Sequence, residues 1–258
     1  MVTPDILAIG LRALGLRAGD TVLVHVALSR FGWVCGGAQA VVLALQEVIT
    51  EAGTLVMPAH SAHLSEPSLW RSPPVPEEWW EDIREEMPAY QRECTPTWGM
   101  GQVAECFRTF PAVLRSDHPH VSFAAWGKEA HIITGDHELE LGLGEGSPLA
   151  RIHERDGRVL LLGVSHRVNT SLHLAEHRAE FSSKHLYWQG APVIEDGRRT
   201  WREFEELAMD TDDFQEVGAA FDESGGSMRG SIGLACCRLM SQPRLVDFAQ
   251  EWFSTNRR

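Results

Sequence analysis

The sequence predicts an α/β protein in which three layers, α/β/α, surround a mixed central sheet. Short apolar runs at 21–26, 54–58 and 158–163 have the length of strands, and segments with helical periodicity separate them. The runs lack polar alternation, as strands do when helices cover a sheet on both faces. The chain has 258 residues, of which 43% are hydrophobic, and it contains no repeat or linker. We therefore expect a single domain, 1–258.

Capping residues and apolar spacing predict the helices in order. Thr3 offers a cap, and Pro4 takes the first helical position. Further helices are predicted at 38–52, at 77–87, from 101 through 107, from 148 to about 156, over the segment that holds His173, at 213–221 and at 243–253. A strand at 123–127 and a hairpin turning at 195–197 add antiparallel character to the sheet.

Residues 60–96 differ in composition from the rest of the chain. They combine tryptophans and prolines with many carboxylates, including Glu78 and Asp82. A segment of this length predicts a lid or a substrate-binding insertion rather than a plain connection. A solvated acidic helix packed by its own tryptophans is the alternative, and the composition favours neither.

Charge and composition exclude several classes of function. The formal net charge of −13 argues against nucleic acid as a partner, because phosphates require basic patches. No apolar run approaches the ~20 residues that span a bilayer, and the first residues lack the layout of a signal peptide, so a cytoplasmic protein without membrane contact is expected. The five cysteines have no C-x-x-C spacing and are expected to be free thiols. An acidic surface favours solubility, or it attracts a cationic substrate.

Three polar side chains cluster after the apolar run at 158–163. His173, Glu176 and His177 lie at i, i+3 and i+4 of a predicted helix and therefore point in similar directions. The pattern H-x-x-E-H is that of an inverted zinc-peptidase motif, for which Glu251 or Asp247 would supply a third ligand. It also suits general base catalysis without a metal, with a carboxylate that orients the imidazole. For any single histidine a hydrogen-bonded structural role competes with both, and His63, His137 and His185 are assigned to that role.

A glycine-bearing loop at 29–37 lies between a predicted strand and a predicted helix. Such a loop leaves backbone N–H groups free at a helix N-terminus, where phosphate oxygens bind. The loop matches neither a Walker sequence nor G-x-G-x-x-G. By itself, the loop is therefore a weak indication of a phosphate site.

Seven ordered motifs resemble the aminoglycoside 3-N-acetyltransferase family, whose fold is unrelated to that of the GNAT acetyltransferases. The motifs are distributed over more than half the chain. They are L-V-H-x-x-L-S-x-x-G-x-V-x-G-G at 23–37, T-L-V-M-P at 54–58, T-P-T-x-G-M-G-x-x-x-E-x-F-R at 95–108, R-S-x-H-P-x-x-S-x-A-A-x-G at 115–127, S-P at 147–148, V-L-L-L-G at 159–163 and N-T-x-x-H-x-A-E at 169–176.

This resemblance implies transfer of acetyl from acetyl-coenzyme A to the 3-amino group of the 2-deoxystreptamine ring, which would give antibiotic resistance. His173 matches the family's catalytic histidine and would act as general base, with Glu176 as its orienting partner; no metal is expected. The coenzyme contacts implied are Ser29, Arg30, Phe31, Gly32, Trp33, Val34, Gly36, Gly37, Thr97, His118 and Ser122.

For the cationic aminoglycoside, the resemblance implies a substrate-binding carboxylate at Glu206. Further candidates for binding its ammonium groups are Asp210, Asp212, Glu78 and Asp82. The chain departs from the family at Tyr90-Gln91, where relatives often have Phe-Asp-Pro, and the loss of that Asp leaves one substrate contact, and hence the preferred antibiotic, undetermined. A zinc-dependent hydrolase, acetylation of a different amine and a non-catalytic binder of a cationic ligand are the competing hypotheses. The sequence does not determine the oligomeric state.

Overall fold

The computed structural model describes all 258 residues and contains nine α-helices. In chain order the helices are α1 (Pro4–Leu14), α2 (Gly37–Ile49), α3 (Trp80–Glu86), α4 (Gly101–Phe107), α5 (Ala130–Thr134), α6 (Pro148–Glu154), α7 (Ser171–Arg178), α8 (Phe214–Glu223) and α9 (Gln242–Asn256). None of them combines the length and apolar composition that crossing a bilayer requires.

Nine strands form a seven-stranded sheet and a separate hairpin. The strands are β1 (Thr21–Val26), β2 (Thr54–Pro58), β3 (Leu114–Arg115), β4 (Phe123–Gly127), β5 (Arg158–Leu162), β6 (Leu186–Glu195), β7 (Arg198–Leu207), β8 (Ser227–Ile232) and β9 (Ala235–Ser241). The large sheet has the order β3-β4-β2-β1-β5-β9-β8. Only β2, β1 and β5 run parallel, and the other neighbours are antiparallel. The predicted mixed sheet is confirmed.

The central strand β1 shows why the sheet needs a helical layer on each face. Val22 and Val24 belong to a buried cluster with α1 and α2, whereas Leu23 belongs to a second cluster with α6, α7 and α9. Successive side chains of a strand point to opposite faces, so both clusters form from one apolar run. The predicted α/β/α layers are confirmed for the same reason.

The last hairpin of the large sheet was not predicted from the sequence. Strands β8 and β9 turn through Gly233 and Leu234, and Gly233 has φ +58°, in the left-handed region. Strand β8 is the exposed edge of the sheet, and four of its six residues are exposed. It therefore carries no alternating apolar pattern. Cys236 and Cys237 differ in exposure because successive side chains of β9 point to opposite faces of the sheet. Cys237 is buried and Cys236 is exposed, and all five cysteines are free.

Residues 60–96 pack against the β6–β7 hairpin instead of lying free in solvent. The backbone N–H of Tyr90 donates to the carbonyl of Pro192 at 3.0 Å, and Arg199 donates through Nε to the carbonyl of Met87 at 2.9 Å. Within the segment, Arg84 Nη2 lies 2.6 Å from Glu66 Oε1. The predicted helix at 77–87 is a 3₁₀ turn followed by α3, and α3 contains no buried residue.

Buried histidines hold the loops around β4 together. The Nδ1 of His118 accepts the backbone N–H groups of His120 and Val121, both at 3.1 Å, and its Nε2 donates to the carbonyl of Leu139. His137 lies between Ser116 Oγ at 2.9 Å and the carbonyl of Gly142 at 2.6 Å. Burial lowers the pKa of His118 well below its usual value. Burial, opposed by the hydrogen bond to Gly142, lowers the pKa of His137 to about 4.

These neutral histidines make the fold acid-sensitive. Unfolded histidines bind a proton near pH ~6.5, whereas His120 and His137 have pKa values of about 4 in the fold. Between those values the unfolded state binds more protons, so the free energy of unfolding falls as the pH is lowered. We expect a loss of about 1 kcal/mol per such histidine at about pH 5.5.

Guanidinium unfolding at about pH 7 and pH 5.5 measures this dependence. The variant His137→Gln should reduce the difference between the two pH values, whereas the exposed His185 provides the matched control, His185→Gln. Equal stability of the wild-type protein at both pH values would contradict the prediction.

Candidate active site

A cavity of about 560 Å³ opens at the carboxyl ends of the three parallel strands. Ligands of open α/β sheets bind at this edge, where connections leave a central strand in opposite directions. The lining residues are Val24, His25, Val26, Ala27, Leu28, Ser29, Pro58, Gly99, Met100, Gly101, Gln102, Ala104, Val164, Val168 and Thr170. At Gly163, φ is +69° and an added Cβ would lie 2.6 Å from Arg30 Cβ. The loops that follow β1 and β5 therefore meet closely beside the cavity.

His173 and Glu176 form a hydrogen-bonded pair on α7. The Nδ1 of His173 lies 2.5 Å from Glu176 Oε2, as their i, i+3 spacing predicts. The His173 side chain is 14% exposed, whereas that of Glu176 is 1% exposed. The imidazole ring of His173 also packs on the ring of Phe214, with the ring centroids 4.8 Å apart. Since Nδ1 is engaged, Nε2 is the atom of His173 that remains available to a substrate.

Two further groups hold the second oxygen of Glu176. Arg257 Nη1 lies 2.5 Å from Glu176 Oε1, and the backbone N–H of Asp210 donates to the same atom at 3.0 Å. Burial raises the pKa of Glu176, but the hydrogen bonds from His173, Arg257 and Asp210 and the charge of His173 outweigh it and hold the pKa below its usual value. Glu176 is therefore a buried carboxylate with a fixed orientation.

The zinc hypothesis lacks a convergent set of ligands. No group of three His, Cys, Asp or Glu side chains is arranged to hold a metal ion. Two residues were candidates for a third ligand. Asp247 Oδ1 lies 3.6 Å from His153 Nε2, and Glu251 is exposed. His177 packs against Gly144, and its Nε2 is buried without a hydrogen bond. The geometry instead matches an imidazole oriented by a carboxylate.

The glycine-bearing loop contributes less side-chain surface than the resemblance implied. Of its eight candidate residues, only Ser29 lines the cavity. Phe31 and Val34 are buried in the core and are 1% and 8% exposed, so their side chains do not face a ligand. The others are exposed or half-buried: Arg30, Gly32, Trp33, Gly36 and Gly37. Gly36 and Gly37 have φ of +83° and +56° and lead into the 13-residue helix α2.

The side chains of Thr97, His118 and Ser122 form hydrogen bonds within the protein. Thr97 donates through both its backbone N–H and its hydroxyl to Glu105 Oε2 and so braces α4. His118 is completely buried, with both ring nitrogens hydrogen-bonded inside the protein. Ser122 is also completely buried, and it donates to the carbonyl of Ala59 and accepts from Arg115. Contact of His118 or Ser122 with a coenzyme is therefore incompatible with this structure, because neither side chain has an accessible polar atom.

Glu206 is a buried carboxylate without a cationic partner. It is 3% exposed and accepts only the backbone N–H groups of Gly142 and Leu207, at 3.3 and 3.1 Å. Burial raises the pKa of Glu206 to about 7 against the lowering effect of those two hydrogen bonds. Strand β7 ends at Leu207, one residue after Glu206, and the segment that follows contains Asp210, whose backbone N–H contacts Glu176.

The other acidic candidates differ in their positions. Asp210 binds Glu176 and Arg257 through its backbone, and its side chain accepts the N–H of Asp212 at 2.9 Å. Both side chains are exposed at the start of α8. Glu78 and Asp82 are exposed on the 3₁₀ turn and α3, and they make no hydrogen bond or ion pair that links them to His173. The structure does not bring this second acidic pair into the site.

Comparisons with known proteins identify the family of the chain. The family model described as aminoglycoside 3-N-acetyltransferase matches residues 23–254. The chain belongs to this family. A relative from Bacillus subtilis strain 168, the SPbeta prophage-derived aminoglycoside N(3')-acetyltransferase-like protein YokD, is 51% identical over 95% of this chain and 90% of its own. Aminoglycoside N(3)-acetyltransferase VII of Streptomyces paromomycinus is 35% identical over 97% and 91%.

Solved structures of this acetyltransferase family share the whole fold. The crystal structure of YokD superposes with a TM-score of 0.97 at 50% identity and covers 99% of this chain and 94% of its own. AAC-IIIb, solved as a binary complex with CoASH, has a TM-score of 0.88 at 33% identity, with 98% and 96% covered. AAC-VIa bound to sisomicin has a TM-score of 0.89 at 27% identity, with 99% and 98% covered.

Two residues of this acetyltransferase site were not predicted from the sequence. Arg257 follows α9, 81 positions from Glu176 in the chain, and no local motif marks it. His25 lies in the first family motif and lines the cavity, but a histidine within an apolar run is equally typical of a core position. His63 was expected to be hydrogen-bonded within the fold; it packs near Trp98, and its Nδ1 is buried without a partner.

Arg257 should be a positioning residue for the His173 pair. Its guanidinium is 9% exposed and joins Glu176 to Asp213, which lies 2.6 Å away. We expect Arg257→Ala to leave a buried carboxylate uncompensated, to lower the free energy of unfolding by about 3 kcal/mol and to lower kcat about tenfold, with coenzyme binding unchanged. Urea unfolding, steady-state kinetics and calorimetry measure the three effects.

Arg258→Ala is the matched control, because that side chain is exposed and only its backbone carbonyl forms a hydrogen bond, to Ser183. Arg257→Lys keeps the charge and should lie between the wild type and Arg257→Ala. If Arg257→Ala and Arg258→Ala behave alike, Arg257 does not position Glu176.

Proposed function

We propose that the protein transfers the acetyl group of acetyl-CoA to the 3-amino group of the 2-deoxystreptamine ring of an aminoglycoside, with His173 as general base, and thereby confers resistance. The His173–Glu176 hydrogen bond of 2.5 Å, beside a cavity at the carboxyl ends of the parallel strands, is the observation that carries this proposal. Aminoglycoside and CoASH complexes of relatives that share the fold support the choice of substrates.

His173 would take the proton that the amine loses when it attacks. Acetyl-CoA supplies an acetyl thioester, whose carbonyl carbon accepts the amine nitrogen. The Nδ1 of His173 is held by Glu176, so Nε2 receives the proton and the Glu176 carboxylate stabilises the imidazolium that forms. Arg257 and the Asp210 amide keep Glu176 in place throughout.

The 560 Å³ cavity would hold the coenzyme arm that carries the thioester. Its wall is largely apolar, with Val24, Val26 and Met100 among the residues that face it, which suits a flexible pantetheine chain. The exposed backbone at Gly36, before helix α2, would face the phosphates. The loop at 29–37 would thus act through its backbone more than through its side chains.

Glu206 would bind an ammonium group of the acceptor. A buried carboxylate without a cation is unfavourable, and a bound ammonium group would replace the missing counter-charge. Asp210 and Asp212 add negative charge to the same edge. No carboxylate occupies position 91, and the neighbouring Tyr90 is buried with its hydroxyl donating to the carbonyl of Ser116, so the acceptor would be held from the Glu206 side.

An acceptor panel tests the proposed function. Thiol release from acetyl-CoA should require an aminoglycoside such as gentamicin, tobramycin or apramycin, and mass spectrometry should find one added acetyl group. His173→Ala should bind CoASH normally while its turnover falls ~10²–10⁴-fold.

Other results of this acceptor panel would support one of the competing functions. Turnover with simple amines alone would favour acetylation of a different substrate, and binding without thiol release would favour a non-catalytic binder. Undiminished turnover of His173→Ala would remove His173 from the proposed role. A stoichiometric zinc ion that is lost in His177→Ala would instead support the hydrolase.

Proton release on binding tests the proposed role of Glu206. Because its pKa is about 7 when no cation is bound, part of the population is protonated at neutral pH. Binding of an ammonium group lowers that pKa and releases protons. Calorimetry in two buffers with different ionisation enthalpies should detect this release. Glu206→Gln should lose that component and raise KM for the acceptor about tenfold, with KM for acetyl-CoA unchanged. Proton release equal to the wild type would contradict the assignment.

A further inference from the structure

His25 is the only titratable side chain in the wall of the cavity. It is the fifth of six residues in β1, and it is 8% exposed. The acetyl transfer proposed above gives His25 no role. The reaction nevertheless needs a hydrogen-bond donor in this cavity, because negative charge develops on the thioester carbonyl oxygen when the amine attacks.

The hydrogen bond to Thr170 determines which ring nitrogen of His25 carries the proton. The backbone N–H of Thr170 lies 3.4 Å from His25 Nε2 and donates to it. A backbone amide can only donate, so Nε2 is the acceptor and the proton of the neutral ring is on Nδ1. Nδ1 has no hydrogen-bond partner within the protein. The structure therefore leaves an unused N–H donor at the cavity wall.

His25 stays neutral while it donates. Burial, and then the charge that nearby His173 carries when it is protonated, lower its pKa to about 3. A neutral imidazole does not protonate the substrate, and it keeps its N–H available over the whole working pH range. The Glu176 carboxylate hydrogen-bonds His173 and does not contact His25.

The backbone of one residue, Thr170, connects His25 to the proposed base. Thr170 donates its N–H to His25 Nε2, and its carbonyl accepts the backbone N–H of His173 at 3.0 Å. His25 lines the cavity from β1, and His173 lies in the first turn of α7, close enough for its charge, when protonated, to lower the pKa of His25. A carbonyl placed between them would meet a donor on one side and a base on the other.

We propose, on the basis of the acetyl transfer proposed above, that the Nδ1–H of His25 is a catalytic hydrogen-bond donor to the carbonyl oxygen of the thioester. The amine nitrogen bonds to the acetyl carbon as its proton passes to His173 Nε2. The carbon–sulfur bond then breaks, and the departing thiolate takes that proton to give CoASH. The hydrogen bond from His25 stabilises the negative oxygen between these steps, and His25 itself exchanges no proton.

Thr170 offers the competing donor. Its backbone N–H is already engaged with His25, but its hydroxyl caps no helix and also lies in the cavity wall. Thr170→Val removes only the hydroxyl and keeps the backbone bond and the side-chain volume. This variant should retain turnover within about threefold of the wild type, which separates the two donors.

Two amide replacements separate catalysis from structure at position 25. In Asn, the amide nitrogen or oxygen is attached to Cγ, as Nδ1 is in His; in Gln, each is one bond further out, as Nε2 is. His25→Asn can therefore present a donor to the cavity but loses the acceptor for Thr170. His25→Gln can accept from Thr170 but loses the donor.

We expect His25→Gln to lower kcat about 10²–10³-fold and His25→Asn to remain within about tenfold of the wild type. CoASH binding measured by calorimetry should change less than threefold in both variants, and ¹⁵N imidazole spectra of the wild type should show the Nδ1–H form without titration above about pH 5.

The reverse order of activities, with His25→Gln active and His25→Asn impaired, would show that His25 only supports the Thr170 backbone and would overturn the proposal. An Nε2–H tautomer in the spectra, or a larger loss in Thr170→Val than in His25→Gln, would also overturn it. These outcomes differ from failure of the proposed function, in which the wild-type protein releases no thiol with any aminoglycoside.

Discussion

The buried carboxylate of Glu176 is the interaction on which the site depends. Its two oxygens accept hydrogen bonds from the His173 imidazole, the Arg257 guanidinium and the Asp210 amide. A carboxylate is stable at zero exposure only when such donors replace its lost hydration. The three donors come from α7, from the residue after α9 and from the segment between β7 and α8. One charge therefore ties three distant parts of the chain to the proposed base.

Burial shifts the pKa values of the titratable groups in opposite directions, because a histidine is charged when protonated and a carboxyl group is charged when deprotonated. Burial lowers the pKa of His25 to about 3 and raises that of Glu206 to about 7, since in each case it disfavours the charged form. Glu176 is equally buried, yet its pKa falls because it has cationic and N–H partners. The same physical cause thus gives a neutral donor, a carboxylate without a counter-ion and a fixed anion within one site.

The acidic net charge of −13 is distributed in a way that composition does not show. The cavity wall contains no carboxylate, whereas Glu206 lies at the end of β7 and Asp210 and Asp212 lie in the segment between β7 and α8. An anionic coenzyme and a cationic acceptor would need this separation. The carboxylates of Glu78 and Asp82 face solvent, and the segment 60–96 that contains them docks on the β6–β7 hairpin through Arg199 and Tyr90.

The sequence by itself determined the layers, the central parallel strands and the His173–Glu176 pair. Each of these depends on short-range periodicity: apolar runs covered on both faces, or an i, i+3 spacing that places two side chains on one helical face. The family motifs predicted the family, and the match of its model to residues 23–254 confirms it. The β8–β9 hairpin escaped prediction because an exposed edge strand has no apolar alternation.

Only the tertiary structure decided which polar residues reach the site. His118 and Ser122 belong to family motifs, but their hydrogen-bonding atoms are used inside the fold, and no sequence pattern distinguishes a buried histidine from a ligand-binding one. Arg257 and His25 reach the site through contacts 81 and 145 positions apart in the chain, to Glu176 and Thr170. Partners at such distances, and the desolvation that sets each protonation state, arise from packing rather than from spacing.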